Sequence, residues 1–142
     1  MSNFKTETFE FSEIPSTLDE LKSLPEAKLE TPFMTAALTV LALCRYEKDV
    51  NSAIEMINFL KGPVDLTEYD KQFLRDRLKG KSYVPRSYFE GTSPENDYTP
   101  PVPLTIKVFE YAYSYSEDGY AMLEIRSSGA DSPRQIKLRK KG

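Results

Sequence analysis

Two periodicities divide this chain. Up to Gly80 apolar residues recur mainly every three or four positions, and after Pro103 every second position, so helices fill the first half and strands the second. The exception comes first: FKTETFEF (Phe4 to Phe11) is β-branched and aromatic and predicts an N-terminal strand. STLDELKSL follows Pro15, with Ser16 or Thr17 as N-cap and Asp19 and Glu20 in the first turn, a short helix ending before Pro25. Thr31 and Pro32 then open PFMTAALTVLALC, which is apolar on nearly every side and so belongs at the centre of the fold. Asp49 caps VNSAIEMINFLKG, where Ala53, Met56, Ile57 and Leu60 form an apolar stripe opposite Asn51, Glu55 and Asn58, and Gly62 and Pro63 stop the helix. LTEYDKQFLRDRLKG has the capping pair Thr67 and Asp70, acids in the first turn, bases in the last and Gly80 as its stop. Its Tyr69, Phe73, Leu74 and Leu78 are expected to face inward.

From Leu104 the aliphatic side chains Leu104, Ile106, Val108 and Ala112 alternate with Lys107, Phe109, Tyr111, Tyr113 and Tyr115, predicting one strand with an aliphatic and an aromatic face. A turn at SEDG leads into YAMLEIRSS, and a second at SSGADSP leads into RQIKLRK, which makes a three-stranded antiparallel meander. The expected fold class is therefore α+β: an N-terminal strand and about four helices packed on a C-terminal antiparallel β-meander. Residues 1–142 read as a single domain, with a helical half at about 16–80, an ordered loop at about 81–103 and a sheet at about 104–141. The last strand ends at RKKG with nothing to pair its far side, which points to a truncated chain or to an edge left for a partner.

Composition narrows the class without naming a function. With 39% hydrophobic and 29% charged residues the chain is an ordinary globular one. The N-terminus has no basic region followed by an apolar one, so no secretory signal is expected. The 13-residue run Pro32 to Cys44 falls short of the ~20 needed to span a bilayer, so no membrane is expected. The single cysteine, Cys44, sits inside that run and reads as a core residue in a cytoplasmic protein. Net charge is −3, yet from Arg126 to Gly142 six bases face one acid, leaving +5 there and −8 elsewhere. Nucleic-acid binding by this tail ranks last among the functional readings, since no recognition motif accompanies the charge.

Several chemistries are absent. Without histidine there is no Ser-His-Asp or Cys-His constellation and no common zinc site, so neither a metal nor a cofactor is expected. The six glycines stand singly at loops and element ends, so neither a P-loop nor GxGxxG exists. No spacing singles out two of the 22 carboxylates as an acid/base pair.

SYVPRSYFEGTSPENDYTPPVP, residues 82 to 103, is the unusual stretch. A proline-rich linker should be polar. This one carries Tyr83, Tyr88, Phe89 and Tyr98, each worth ~1.5–3 kcal/mol if buried, so an aromatic-anchored ordered loop is expected. Its five prolines lower the entropy lost on ordering.

At these residues FLKGP, QFLRDRL, YVPRSYFEGTSPENDYTP and GADSPRQIKLR together resemble a family of small uncharacterised bacterial proteins, classed as a domain of unknown function. The resemblance covers nearly the whole chain and implies no activity, substrate or cofactor. It implies a tryptophan-containing strand after the basic one, whereas this sequence has no Trp and stops at Gly142. Within the matching segments the candidate ligand- or partner-binding residues are Arg86, Tyr88, Asn96, Tyr98, Asp131 and Arg134, and Tyr111 and Tyr113 join them from the strand. Arg86 and Arg134 suit an anionic group held bidentately, and the tyrosines offer flat contact surfaces. The same residues can serve internally: Arg134 bridging to Asp131, Asn96 closing a turn, the tyrosines pinning the loop. The leading expectation is a non-enzymatic binding or interaction module using the Pro/Tyr loop and the aromatic strand face. Its partner would be a protein or a small anionic ligand, or a second copy joined through a sheet edge. The alternative is a small hydrolase or isomerase with a carboxylate, tyrosine and arginine pocket between helices and sheet.

Overall fold

The structure is a computed structural model and describes residues 5–61, 66–80, 83–112, 114–125 and 134–139. Four strands, β1 (Thr6–Phe11), β2 (Leu104–Phe109), β3 (Tyr120–Ile125) and β4 (Arg134–Arg139), form one antiparallel sheet in the order β1-β2-β3-β4. Four helices, α1 (Leu18–Lys22), α2 (Pro32–Arg45), α3 (Val50–Lys61) and α4 (Glu68–Leu78), come between the first strand and the other three. The architecture is the expected α+β one, and the N-terminal strand joins the meander by pairing with β2, Phe9 opposite Ile106 and Phe11 opposite Leu104.

Alternation decides which sheet face is covered. Phe9 and Phe11 on β1, Leu104, Ile106 and Val108 on β2, and Ala121, Leu123 and Ile125 on β3 are all buried on the face that meets α2. Helix α2 has the sheet against it and α3 as a further neighbour, and so it buries Phe33, Ala36, Ala37, Leu38, Val40, Leu41, Ala42 and Cys44 around most of its circumference. The Thr31 hydroxyl accepts from Met34 N at 3.3 Å, and Pro32 follows at the first helical position. On α3 the expected stripe is buried through Ala53, Met56 and Leu60, and Asp49 caps it by accepting from Ser52 N at 3.1 Å. Arg45, at the end of α2, donates from Nε to Pro15 O (2.9 Å) and from Nη2 to Ile14 O (3.0 Å), tying the β1–α1 connection to the central helix.

Two expectations are corrected. Helix α4 has its Thr67 and Asp70 capping box, but it buries no residue: Tyr69 is 78% and Phe73 52% exposed, and Leu74 and Leu78 are only half-buried. Caps and alternating charge hold this helix locally, and Arg77 lies 5.5 Å from the Phe73 ring on its outer side. The strand expected to run from Leu104 to Tyr115 ends at Phe109, which pairs with Thr6, and one more hydrogen bond follows from Glu110 N to Lys5 O at 2.9 Å. Beyond it, the Ser114 hydroxyl accepts from Tyr111 N at 2.9 Å, and Ser114 O accepts from Met122 N at 2.8 Å, so the chain folds back as a loop. Tyr111 and Tyr115 therefore do not line up on a strand face, and Tyr113 lies outside the described residues. The turn expected at SSGADSP lies outside the described residues.

Candidate functional site

Residues 83–103 connect α4 to β2 through two 3-10 turns, and the anchors of this loop are visible in the sequence. Pro85 and Phe89 are buried, which sinks the one-turn 3-10 helix Val84–Tyr88 into the body beside α2. Glu90 N donates to Thr105 O at 2.8 Å, lashing the loop to β2. Two hydroxyls are absorbed internally: Ser87 donates to Val84 O (2.5 Å) and Thr92 to Phe89 O (2.8 Å).

Asn96 organises the second half. Its Oδ1 accepts from Ser93 N (3.0 Å) and Thr99 N (3.2 Å), and its Nδ2 donates to Gly91 O (3.0 Å) and Thr99 O (3.2 Å). One amide thus closes both ends of the turn around Pro94–Asn96. Gly91, at φ +83°, lies so close to Pro101 that a Cβ there would stand 2.8 Å from Cγ. The following residues Asp97 (φ 55°) and Tyr98 (φ 53°) are both left-handed. That conformation costs roughly 1–2 kcal/mol per non-glycine residue, and tyrosine has no short polar side chain to offset it. The Tyr98 ring stacks on Tyr83 with centroids 4.9 Å apart and planes 20° from parallel. Tyr83 remains 37% exposed and Val102 76%, while Tyr98 is half-buried, so the loop presents one ring of the pair and an apolar edge outward on a hydrogen-bonded backbone.

Arg86 joins this loop to α2. Its Nη1 donates to Asp97 O at 3.2 Å, and its Nε stands 3.1 Å from Glu47 Oε2. That contact is an ion pair with its N–H directed elsewhere, so Nε is a buried donor with no hydrogen-bond acceptor. Beside the pair lies a cleft of about 140 Å³, lined by Ile14, Cys44, Arg45, Glu47, Lys48 and Arg86. Burial, ahead of the Glu47 charge, pushes the Cys44 thiol far above its ordinary range, so the thiol is no nucleophile there. Elsewhere, Tyr115 donates to Glu110 Oε2 at 2.6 Å; burial first, then this carboxylate, pushes the phenol up to about 12.

The candidates named from sequence separate accordingly. Arg86, Asn96 and Tyr98 come together in the loop, where Arg86 and Asn96 hold the chain and Tyr98 faces Tyr83. Tyr88 is half-buried against the core, and Tyr111 is half-buried in the turn after β2. The backbone of Arg134 pairs opposite Ile125, while Asp131 and Tyr113 lie outside the described residues. Tyr83 and the cleft residues Ile14, Arg45, Glu47 and Lys48 were not among the candidates. Arg45 and Lys48 look in sequence like the cations any helix carries near its C-terminus, and only Arg86, distant in sequence, marks them out. Among the described residues no group of His, Cys, Asp and Glu is arranged to hold a metal, and no helix is long and apolar enough to cross a membrane.

A family model described as "Domain of unknown function (DUF6935)" matches residues 13–142, which leaves β1 ahead of the matched segment. No curated protein and no solved structure matches the chain.

Proposed function

The chain belongs to the DUF6935 domain family, whose description names no activity, and we propose from its own geometry that it is a non-enzymatic binding module for a protein partner. The recognition surface is the 83–103 loop, with the Tyr83–Tyr98 stack at its centre and Val102 at its edge. One observation carries this reading. The backbone at Tyr98 is held left-handed, with its N–H on Ser93 O, and its half-buried ring is stacked on the more exposed ring of Tyr83. Strain of this kind is retained where it positions a side chain for use, and tyrosines on a rigid loop supply contact area at low entropic cost. The sheet ends on β1 and β4, so pairing of two copies along an edge belongs to the same proposal, and light scattering of the eluted protein reads it. Cytoplasmic residence and bacterial origin also belong to it, the former resting on Cys44, a buried free thiol.

Selection of a displayed peptide library tests the surface. Peptides enriched on the parent should bind roughly tenfold or more weakly to Tyr83→Ala and to Tyr98→Ala, with melting temperatures shifted by only a few degrees. Peptides that bind parent and variants alike would remove the loop from the reading. A second reading, a small hydrolase or isomerase, has one observation in its favour: Glu47 and Arg86 share a cleft. Turnover in a substrate screen that disappears in Glu47→Gln at unchanged stability would put it first.

A further inference from the structure

We propose that the cleft between the C-terminal end of α2 and the 84–88 turn binds a small oxyanion, a carboxylate or phosphate group, through Arg45, Lys48 and Arg86. The inference goes beyond the partner surface and does not depend on it. Three cations and one acid line the cleft, so it is locally positive in a chain whose net charge is −3. A guanidinium offers five N–H donors. Arg45 spends Nε and Nη2 on the carbonyls of Pro15 and Ile14, and Arg86 spends Nη1 on Asp97 O. Both groups are thereby fixed in place with donors to spare, so little side-chain entropy is lost when an anion arrives. Arg86 Nε is buried and paired with Glu47 at 3.1 Å, so an anion in the cleft would be met by the remaining terminal N–H groups of the guanidinium. At about 140 Å³ the cleft holds a few waters or one oxyanion group, and a larger ligand would have to leave its remainder outside.

Glu47 is the built-in competitor. Its carboxylate faces Arg86 where a ligand oxygen would add a second negative charge, so an incoming oxyanion must share or displace it. Ligand binding should therefore strengthen when Glu47 is neutral. The Asp97 carbonyl held by Arg86 precedes Tyr98, so an occupied cleft and the tyrosine stack meet through one side chain.

The test is a titration of the full chain, carrying ¹³C-labelled isoleucine methyl groups, with sodium phosphate and separately with sodium acetate at constant ionic strength. Ile14 lines the cleft and Ile106 lies in the core, so the expected result is a saturable shift of Ile14 with Ile106 unmoved. Lys48→Glu should abolish saturation, and Glu47→Gln should tighten binding by roughly tenfold. Saturation by phosphate alone assigns the site to a free inorganic oxyanion; saturation by acetate as well assigns it to carboxylates, including those of larger ligands. Shifts that grow linearly with either salt, match those in chloride and persist in Lys48→Glu would overturn the proposal. Because no partner protein enters the experiment, its failure would leave the tyrosine surface to its own test.

Discussion

Replacing Gly91 by alanine isolates what holds the loop. The position has φ +83°, and an added Cβ would stand 2.8 and 2.9 Å from Cγ and Cδ of Pro101. Carbon atoms at rest keep ~3.5–4.0 Å apart, so the methyl intrudes by more than half an ångström on a ring that cannot swing aside. The left-handed backbone alone costs alanine roughly 1–2 kcal/mol, and forcing the overlap adds about 1–3 kcal/mol. At ~3 °C per kcal/mol for a domain of this size, Gly91→Ala should melt roughly 6–15 °C below the parent. Gly80 supplies the control: its φ is +70° and a Cβ would meet nothing within 4 Å, so Gly80→Ala should lose only ~3–6 °C. The assay is thermal unfolding by circular dichroism of parent, both glycine variants, Pro101→Ala and the double variant. In the Pro101→Ala background the cost of Gly91→Ala should fall to that of Gly80→Ala, because the overlapping ring is gone. If Gly91→Ala costs no more than Gly80→Ala, or keeps its full cost without Pro101, the close packing of the loop is wrong and the preorganised surface goes with it.

Three further outcomes follow from the packing and the charges. Ultraviolet difference titration of the parent against Tyr115→Phe should show this phenol ionising near 12; its folded pKa exceeds the unfolded ~10, so the stability it contributes is complete below pH ~10 and is lost as pH rises towards 12. A difference spectrum centred near 10 would remove the Glu110 hydrogen bond from the account. Hydrogen bonds from Ser52 hold the Asp49 carboxyl below its ordinary range, so its cap contributes stability above the unfolded value of ~3.9 and loses it as pH falls through the lower folded value; Asp49→Asn should remove that acid-side slope in denaturant titrations. Leu41→Ala, at a fully buried site, should cost ~2–5 kcal/mol in urea unfolding, whereas Phe73→Ser on exposed α4 should stay within about 1 kcal/mol, and equal costs would mean that α4 packs on the body.

The fold was legible wherever one local signal and burial agreed. Thr31–Pro32, Asp49, and Thr67 with Asp70 each mark a helix start because orphan N–H groups need an acceptor, and each cap is in place. The uniform apolarity of α2 likewise meant burial on nearly every side. Periodicity misled in two places. Tyr69, Phe73, Leu74 and Leu78 have helical spacing, yet spacing fixes which side chains share a face and says nothing about what covers that face. Alternation from Phe109 to Tyr115 reads as strand, but the Ser114 hydroxyl accepts from Tyr111 N, and this local hydrogen bond turns the chain instead. Sequence shows the alternation and leaves that competing turn unseen.

The site was less legible because clamp and ligand-binding residues share one chemistry. Asn96 could be assigned to a turn locally, since its partners Ser93, Gly91 and Thr99 lie within five residues. Arg86 could not: Glu47 belongs to the end of α2, and only folding brings the two within 3.1 Å. Nor does the clamp role close the question, because fixing a guanidinium by one or two donors is also how a binding site is preorganised. The same holds for the tyrosines. If Tyr83 and Tyr98 served only to pin the loop, their rings would be placed best in the core beside Phe89, where burial stabilises most. Instead Tyr98 accepts a left-handed backbone and stays only half-buried against Tyr83, a worse arrangement for stability than full burial. Asn96, Gly91 and Pro101 already close the loop, so the left-handed backbone at Tyr98 is a cost that closing the loop does not explain, and on that cost rests our proposal that the pair serves recognition.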